Sequence, residues 1–380
     1  MRIAVIHSRY SSGSMSGENR VVEDEIDLLR SGAHTVSFYA PSVADNAHPV
    51  RLAANAIWSR TSVQEMRSLI DQQRPEVVHL HALYPQLSPA PIRAAAELGV
   101  PVVATLHNFR LLCLPATLLR DGRICEDCLG RQPWPGVVHA CYRDSRPASA
   151  ALATSLALHR AGGTFDRIDL FLAVSEFVKR KHVEAGFHPD RIVVKPNFAA
   201  PQARRRGPGG AFLVLGRLST EKGIDTLLRS WDGPPLDIVG GGPERERLIQ
   251  LAPSPVTFHE PVSAASVPEL LARARAVLVP SRCYEGQPRV VLEAFAAGVP
   301  VLASRIGGLP ELVEHSVNGL LVDVDDQQGW PNAIERLMDD DESERLGEGA
   351  YRTWQEHFTP ELALRRLEHS YRRAVAIHNA

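Results

Sequence analysis

Two glutamates stand eight positions apart at the most chemically suggestive point of this 380-residue sequence. Glu285 follows an apolar run, and Glu293 falls inside a helical stretch whose other members are apolar or small. Eight helical residues make about 2.2 turns, so both carboxylates can face the same crevice. A carboxylate among apolar neighbours needs a partner, which the hydroxyl groups of a bound ligand would supply. The pattern therefore predicts a ligand site, and a pair of surface glutamates is the simpler alternative.

A second group combines glycine with two cations. Gly216, Arg217 and Lys222 lie between the apolar run 212–215 and a helical stretch at 224–231. A strand, a glycine-containing loop and a helix start in this order bring backbone N–H groups and cationic side chains to one spot, which suits a diphosphate. A surface loop with solvated charges is the alternative.

A glycine turn follows the next apolar run. Gly240, Gly241 and Gly242 stand directly after residues 236–239, where they allow a tight turn and close approach of a ligand to the backbone. An ordinary tight turn explains them equally well. The sequence has neither a Gly-x-Gly-x-x-Gly pattern nor a P-loop lysine pattern, which disfavours a nicotinamide-dinucleotide enzyme and an ATPase.

Four of the five cysteines lie close together in the first half of the chain. Cys113, Cys125, Cys128 and Cys141 are predicted to bind a structural zinc ion, with the Cys-x-x-Cys pair as one arm of the site. His139 could replace one of the cysteines. Reduced thiols, or one or two disulfides, are the alternatives. The fifth cysteine, Cys283, is interpreted as an ordinary thiol.

Apolar runs alternate with helical patterns along the chain, which is typical of parallel α/β architecture. Residues 199–210 lack hydrophobic periodicity and carry prolines, three glycines and the run Arg204-Arg205-Arg206. This segment is predicted to be a linker in which the basic run is merely solvated. The chain is thus predicted to form two α/β domains, residues 1–200 and 201–355. The predicted strands are 3–7, 35–39, 77–81, 102–106, 170–174, 192–195, 212–215, 236–239, 256–259, 276–280, 299–303 and 319–322.

Composition excludes several classes of protein. Hydrophobic residues make up 44% and charged residues 23% of the chain, which are ordinary values for a folded globular protein. The formal net charge of −2 gives no sign of a nucleic-acid partner. Neither a signal peptide nor a membrane-spanning segment is evident. We therefore expect a cytoplasmic protein, for which peripheral membrane contact and the oligomeric state are left open.

In combination these motifs resemble a known family. Gly-Arg-Leu-Ser-x-Glu-Lys-Gly at 216–223, the glycine turn, and Glu285-Gly286-x-Pro288 followed by Glu293 are together similar to the retaining glycosyltransferases of family four. The features of the first half that are similar to this family are Gly17 beside the first strand-to-helix loop, His107 after a predicted strand, and Ser175 in Val-Ser-Glu-Phe-Val. The resemblance covers the whole chain. It implies the GT-B fold, in which two Rossmann-like domains face each other across a cleft and residues 356–380 cross back to the first.

The resemblance implies a role for each matching residue. Arg217, Lys222 and Gly17 would meet the donor diphosphate, where the two cations would stabilise the departing nucleotide. Glu293 would bind the ribose and Glu285 the hydroxyl groups of the donor sugar, while His107 would lie beside the transferred sugar. The remaining donor-site residues are Ser175, Gly241 and the backbone N–H groups of Gly286 and Gln287.

The implied activity is transfer of a sugar from a nucleotide-diphosphate sugar to a hydroxyl group, with retention and without a protein general base. Uridine diphosphate donors are the leading expectation, and guanosine and adenosine donors stay open. Loop residues 10–16 and the cysteine-containing insertion are expected to choose the acceptor, whether glycan, lipid-linked sugar or natural product. A nucleotide-sugar epimerase of the same fold and a non-catalytic zinc-stapled binding protein are the alternatives.

Overall fold

Two six-stranded sheets organise the structure, a computed structural model that describes residues 1–9, 17–41, 49–84, 86–324, 326 and 328–380. The chain divides into two units. The first contains Met1–Leu118, Cys125–Lys195 and Ala363–Ala380, and the second contains Leu119–Ile124 and Pro196–Leu362.

The sheet of the first unit is parallel throughout. The strands up to residue 195 are β1 (Arg2–Ile6), β2 (Thr35–Tyr39), β3 (Val77–Leu80), β4 (Val102–Leu106), the hairpin strands β5 (Leu119–Arg120) and β6 (Arg123–Ile124), then β7 (Leu170–Ala173) and β8 (Ile192–Val194). Their order in the sheet is β2-β1-β3-β4-β7-β8. The central strands β3 and β4 are buried at every position, which explains why they are apolar in the sequence except at His79 and Thr105.

Helices connect these strands, as parallel pairing requires. In α1 the residues spaced to share one face, such as Val22, Ile26 and Leu29, are buried. In α6, Ser145 caps the helix by accepting from the Ala148 N–H at 3.3 Å. The helices of this part are α1 (Gly17–Ser31), α2 (Pro49–Ile57), α3 (Arg60–Gln73), α4 (Ala90–Glu97), α5 (Trp134–Val138), α6 (Arg146–Ala161) and α7 (Glu176–Glu184).

The sheet of the second unit is also parallel. Its strands are β9 (Phe212–Leu215), β10 (Leu236–Val239), β11 (Val256–His259), β12 (Val277–Val279), β13 (Val301–Ser304) and β14 (Gly319–Val322). They lie in the order β11-β10-β9-β12-β13-β14. The strand order reverses between β9 and β12, and in open α/β sheets ligands bind outside the carboxyl ends of the strands at such a point.

Two layers of apolar side chains cover this second sheet. One contains Phe295 and Trp354, and the other contains Trp231 and Trp330. The remaining helices are α8 (Ile224–Arg229), α9 (Arg245–Leu251), α10 (Val267–Arg273), α11 (Arg289–Ala296), α12 (Leu309–Leu312), α13 (Gly329–Met338), α14 (Asp340–His357) and α15 (Pro360–His378). In the described part of the chain, no helix combines the length and the apolar character needed to cross a membrane.

The basic run at 204–206 differs from the sequence prediction. Residues 199–210 contain no helix or strand, but Arg205 is only 8% exposed. Its guanidinium donates at 2.8 Å to the carbonyl oxygens of Arg275 and Ser343. The prediction that the run is merely solvated is therefore wrong for Arg205, which ties this segment to α14 and to the bend between α10 and β12.

Candidate functional site

Lys222 and Glu285 meet at the point where the strand order of the second sheet reverses. Lys222 ends the short turn after β9, and Glu285 lies in the loop after β12. Because β9 and β12 are neighbours, these loops leave the sheet side by side. Two segments separated by more than sixty positions thus supply one charged pair.

The pair is close and largely shielded from water. Lys222 Nζ donates to Glu285 Oε1 at 2.7 Å, and Ser281 Oγ donates to the same oxygen at 2.5 Å. The side chains of Lys222 and Glu285 are 35% and 11% exposed. Burial alone would lower the pKa of Lys222, but the neighbouring carboxylate outweighs it and raises that pKa above its ordinary value. Burial would raise the pKa of Glu285, yet Lys222 holds it below its usual range.

Two glycine-containing loops interlock beside this pair. The Leu218 N–H donates to the Gly241 carbonyl at 2.9 Å. Gly240 has φ +147°, and a Cβ placed there would lie 1.9 Å from the Gly216 carbonyl oxygen. Only glycine permits this approach, so the turn at 240–242 shapes the loop that carries the exposed Arg217.

A further glycine pair holds Glu285 in place. The Gly308 N–H donates to the Glu285 carbonyl oxygen at 2.7 Å. Gly307 has φ +62°, and a Cβ on it would lie 2.7 Å from both the N and the O of Glu285. Neither glycine was predicted from the sequence to belong to the site. The doubled glycine just after β13 was the available signal, because it marks a close backbone approach.

Glu293 has a partner within its own helix, which corrects the sequence argument for it. Arg289 Nη2 donates to Glu293 Oε1 at 2.7 Å, and both side chains are 17% exposed. This partly buried carboxylate therefore does not require a ligand, and its contact with a ribose stays a prediction. In the preceding loop, Gln287 Oε1 accepts from the Asn197 N–H at 2.5 Å, and Gly286 separates Gln287 from Glu285.

In the first unit, histidines follow three neighbouring strands. His7 comes after β1, His81 after β3 and the predicted site residue His107 after β4. His107 Nε2 lies 2.8 Å from His81 Nδ1. The strand order reverses between β1 and β3, so His7 and His81 also stand at a position where open α/β sheets bind ligands. His107 was predicted from the family resemblance. The histidines at the ends of successive strands were a further signal in the sequence, and it was not used for His7 and His81.

A carboxylate and a lysine lie beneath these histidines. Glu25 Oε1 is 3.2 Å from His79 Nδ1 and 3.5 Å from His81 Nε2, while Glu25 Oε2 accepts from Lys195 Nζ. Glu25 and Lys195 are each 1% exposed. Among the described residues, Glu25, His79 and His81 are the one group whose ligand atoms are close enough together to hold a metal ion. Lys195 already balances the charge of Glu25, so the group needs no cation for neutrality.

A small cavity lies beside His107. Its volume is about 50 Å³, and Glu18, His81, His107 and Arg110 are among the residues that line it, which leaves room for a few water molecules. Asn108 Nδ2 donates to Glu18 Oε2 at 3.0 Å. Burial raises the pKa of Glu18 to about 7, against the opposing effects of Arg110 and Asn108.

The remaining predicted residues of the first unit have simple structural positions. Gly17 is exposed and begins α1. Ser175 is the N-cap of α7 and accepts from the Val178 N–H at 3.3 Å. Loop residues 10–16, which were expected to contact the acceptor, lie outside the described residues.

The four clustered cysteines carry free thiols. Cys113 and Cys128 are buried, and Cys125 and Cys141 are partly buried. Burial raises the pKa of Cys113 to about 11, and the nearby Cys128 adds to this rise. Burial and then the neighbouring Cys125 and Cys141 raise the pKa of Cys128, against a backbone hydrogen bond to Gly136 that lowers it. The thiols are neighbours, yet in the described structure no three of them come as close as the ligand atoms of Glu25, His79 and His81.

Two family models match the chain. The model described as Glycosyltransferase Family 4 matches residues 15–202, and the model described as Glycosyl transferases group 1 matches residues 209–340. The chain belongs to glycosyltransferase family 4. The resemblance seen in its motifs is thus confirmed, and no finding supports the epimerase alternative.

Curated relatives of this glycosyltransferase family member carry related names. A GDP-mannose-dependent alpha-(1-6)-phosphatidylinositol monomannoside mannosyltransferase of Mycobacterium tuberculosis is 36% identical over 46% of the chain and 50% of its own length. A D-inositol 3-phosphate glycosyltransferase of Acidothermus cellulolyticus is 30% identical over 53% of the chain and 54% of its own length. The chain spans about half the length of these relatives. A GDP-mannose-dependent alpha-mannosyltransferase of Corynebacterium glutamicum is 26% identical over 93% of the chain and 86% of its own length.

Solved structures share the fold of this family member. Sucrose-phosphate synthase from Thermosynechococcus elongatus has a TM-score of 0.73 at 19% identity and covers 99% of both chains. Anabaena HepE in complex with UDP has a TM-score of 0.66 at 19% identity and covers 97% of this chain and 99% of its own. With the two parallel sheets, these matches confirm the α/β class and the GT-B type of two Rossmann-like domains.

Proposed function

We propose that this protein transfers a sugar, with retention of anomeric configuration, from a nucleotide-diphosphate sugar to a hydroxyl acceptor. The observation that carries the proposal is the Lys222–Glu285 pair at the strand-order reversal of the second sheet. The ammonium group of Lys222, fixed at the carboxyl ends of parallel strands, is well placed to bind a diphosphate. The adjoining carboxylate of Glu285 can accept hydrogen bonds from sugar hydroxyl groups. Family membership supports the same reaction.

The second unit supplies the donor-binding groups in this proposal. Arg217 and Lys222 bind the diphosphate, and because Lys222 is fixed before the donor arrives, it can stabilise the departing phosphate without reorganising. Glu285 accepts hydrogen bonds from the sugar, and Glu293 from the ribose. Gly241, Gly286 and Gln287 bring backbone groups to the same ligand. Gly17, His107 and Ser175 contribute from the first unit, with His107 beside the transferred sugar.

A uridine diphosphate sugar is the proposed donor, and GDP-mannose is the first competitor to test. UDP is bound in the HepE complex, whereas several curated relatives are named for GDP-mannose. The acceptor is proposed to be a sugar, a lipid-linked sugar or a small hydroxylated molecule, since the relatives' names include phosphatidylinositol mannoside and inositol phosphate.

Thermal shift with UDP, GDP and ADP and their sugars tests the donor assignment. We expect one nucleotide sugar to raise the Tm, because a ligand that binds only the folded state stabilises it. The rise should be lost in Lys222→Ala and kept in Arg229→Ala, which removes an exposed cation nearby. Transfer to mannosylated or inositol-containing acceptors is then followed by NMR at the anomeric proton. An inverted product would overturn retention, and rapid donor isomerisation without an acceptor would overturn transfer.

We also propose that Cys113, Cys125, Cys128 and Cys141 bind zinc and that the protein works in the reducing cytoplasm. The support is their spacing, their burial and their free thiols, since free thiols persist where disulfides are reduced. Metal analysis of protein purified under reducing conditions should find one zinc ion per chain. The metal should be lost in Cys125→Ser with Cys128→Ser. Zinc that persists in that variant would place the metal elsewhere, and absence of zinc would contradict the proposal.

A further inference from the structure

A continuous line of close contacts runs from Glu25 through His81 to His107, all within the first unit. Glu25 Oε1 lies 3.5 Å from His81 Nε2, and His81 Nδ1 lies 2.8 Å from His107 Nε2. Glu25 is 1% exposed and His81 is 6% exposed. The planes of the two histidine rings differ by 19°, and the ring centroids are 5.1 Å apart.

The contact between the two imidazoles requires one proton between them. Two ring nitrogens at 2.8 Å form a hydrogen bond only if one carries hydrogen and the other is bare. Either His107 donates from Nε2 to His81 Nδ1, or His81 donates from Nδ1 to His107 Nε2. A neutral imidazole carries one N–H, so the proton on the far nitrogen of His81 decides between them.

The far nitrogen of His81 faces a group that can only accept. His81 Nε2 and Glu25 Oε1 are both buried and have no hydrogen-bond partner among the described residues. If His81 Nε2 carries a proton, it attracts the Glu25 carboxylate oxygen that lies 3.5 Å away. If Nε2 is bare, its lone pair repels that oxygen. Nε2 of His81 therefore carries the proton, and its Nδ1 accepts from His107.

We propose that Glu25 and His81 are positioning residues that fix the tautomer of His107, with hydrogen on Nε2 and with Nδ1 kept as a hydrogen-bond acceptor. Burial holds the pKa of both His81 and His107 well below the usual range, and the nearby histidines and Lys195 lower these values further. Both rings are thus neutral at physiological pH. Lys195, which donates to Glu25 Oε2, holds the carboxylate in place.

The consequence for catalysis rests on the proposed function, although the tautomer itself does not. If His107 lies beside the transferred sugar, its bare Nδ1 accepts a hydrogen bond from a sugar hydroxyl group. It cannot donate one. The protein would then favour donors whose sugar carries a hydroxyl group facing His107 Nδ1 over the deoxy or O-methyl analogues, because only the hydroxyl group can donate to Nδ1.

Nitrogen-15 NMR of histidine-labelled protein tests the tautomer directly, without any assay of activity. His107→Gln and His81→Gln assign the two rings. We expect both His81 and His107 to show a protonated Nε2 and a bare Nδ1. Protonated Nδ1 on both rings would overturn the inference. A correct tautomer in a protein without transferase activity would contradict the proposed function alone.

Glu25→Gln should reverse the chain of hydrogen bonds. Because Lys195 only donates, the glutamine carbonyl should face it and leave the amide NH₂ at the position of Glu25 Oε1. This amide donates to His81 Nε2, so the proton on each ring moves to Nδ1. We expect His107 to change tautomer and kcat/KM for the donor to fall at least about tenfold.

Tyr371→Phe is the matched control. It removes the hydroxyl group that lies 2.9 Å from His79 Nδ1 and leaves the Glu25–His81–His107 line intact. The tautomer of His107 should stay unchanged in this variant. A folded Glu25→Gln protein that keeps the wild-type tautomer of His107 would refute the positioning role. If that variant does not fold, the wild-type spectrum still decides the assignment.

Discussion

The pairs Lys195–Glu25 of the first unit and Lys222–Glu285 of the second differ in their access to solvent. Lys195 and Glu25 are each 1% exposed, whereas the side chain of Lys222 is 35% exposed. A fully buried pair is costly to break, because the remaining charge has no partner. Lys222 is exposed enough to meet an arriving anion from its position beside Glu285, which also accepts a hydrogen bond from Ser281. The first pair therefore suits support of neighbouring groups, and the second suits direct contact with a ligand.

Lys222→Ala is expected to lower kcat/KM for the nucleotide sugar by about 100- to 1000-fold, because it removes a preorganised charge from the leaving phosphate. Steady-state kinetics with varied donor measures the effect. Arg229→Ala, which removes an exposed cation of α8, should leave the kinetics unchanged. Equal losses in both variants would mean that net charge, and not the position of Lys222, matters.

Glu18 should make stability depend on pH. Its pKa in the folded protein is about 7, above the unfolded value near 4.5, so the folded state holds its proton more tightly. The contribution of Glu18 to the free energy of unfolding is fully present below about pH 4.5 and is lost as pH rises through about 7. Denaturant unfolding at pH 5 and pH 8 should show wild type losing up to about 3 kcal/mol more than Glu18→Gln between the two conditions. Parallel pH curves for the two proteins would refute this role.

At the scale of elements, glycine turns set the geometry of the donor loops. Gly307→Ala would place a methyl group 2.7 Å from the backbone of Glu285, so the loop must move. We expect activity to fall more than tenfold and the Tm to drop. Gly99→Ala is the matched control, because Gly99 has a similar φ of +69° with nothing within 4 Å. It should cost about 1–2 kcal/mol of stability and leave activity intact. Activity that survives Gly307→Ala would show that the loop tolerates displacement.

Strands were the most predictable elements, and long-range contacts were the least. The strand Val102–Leu106 was predicted with its observed ends, because a buried strand is a short, mostly apolar run. The hairpin of β5 and β6 was missed, since strands of two residues have no periodicity. The close backbone packing of Gly307 against Glu285 joins residues far apart in sequence. The chain of side-chain contacts from Glu25 through His81 to His107 does the same. No local pattern encodes such contacts.

At the scale of the whole molecule, the end of the chain completes the first unit. Residues 363–380 belong to that unit, and Leu367 and Tyr371 of α15 are fully buried. The Tyr371 hydroxyl lies 2.9 Å from His79 Nδ1. His34 Nε2 lies 3.1 Å from Glu368 Oε1. The core and the polar centre of the first unit therefore both depend on the last helix.

Deletion of residues 363–380 should destabilise the first unit selectively. Each buried leucine or aromatic side chain of α15 contributes about 1.5–3 kcal/mol, so the loss should exceed about 3 kcal/mol. Hydrogen exchange followed by mass spectrometry should show faster exchange in β1, β3 and β4 and nearly unchanged exchange in β9 to β14. Uniform acceleration in both units would contradict this separation.

The contact between Tyr371 and His79 also orders events during synthesis. Domains generally fold as units while the chain is being made. Here the first sheet leaves the ribosome long before the helix that fills its core, because 292 positions separate the two contacting residues. The second unit, whose residues up to 362 are contiguous apart from one hairpin, can close before the first one is finished. The half of the molecule that is translated first is thus the half that matures last.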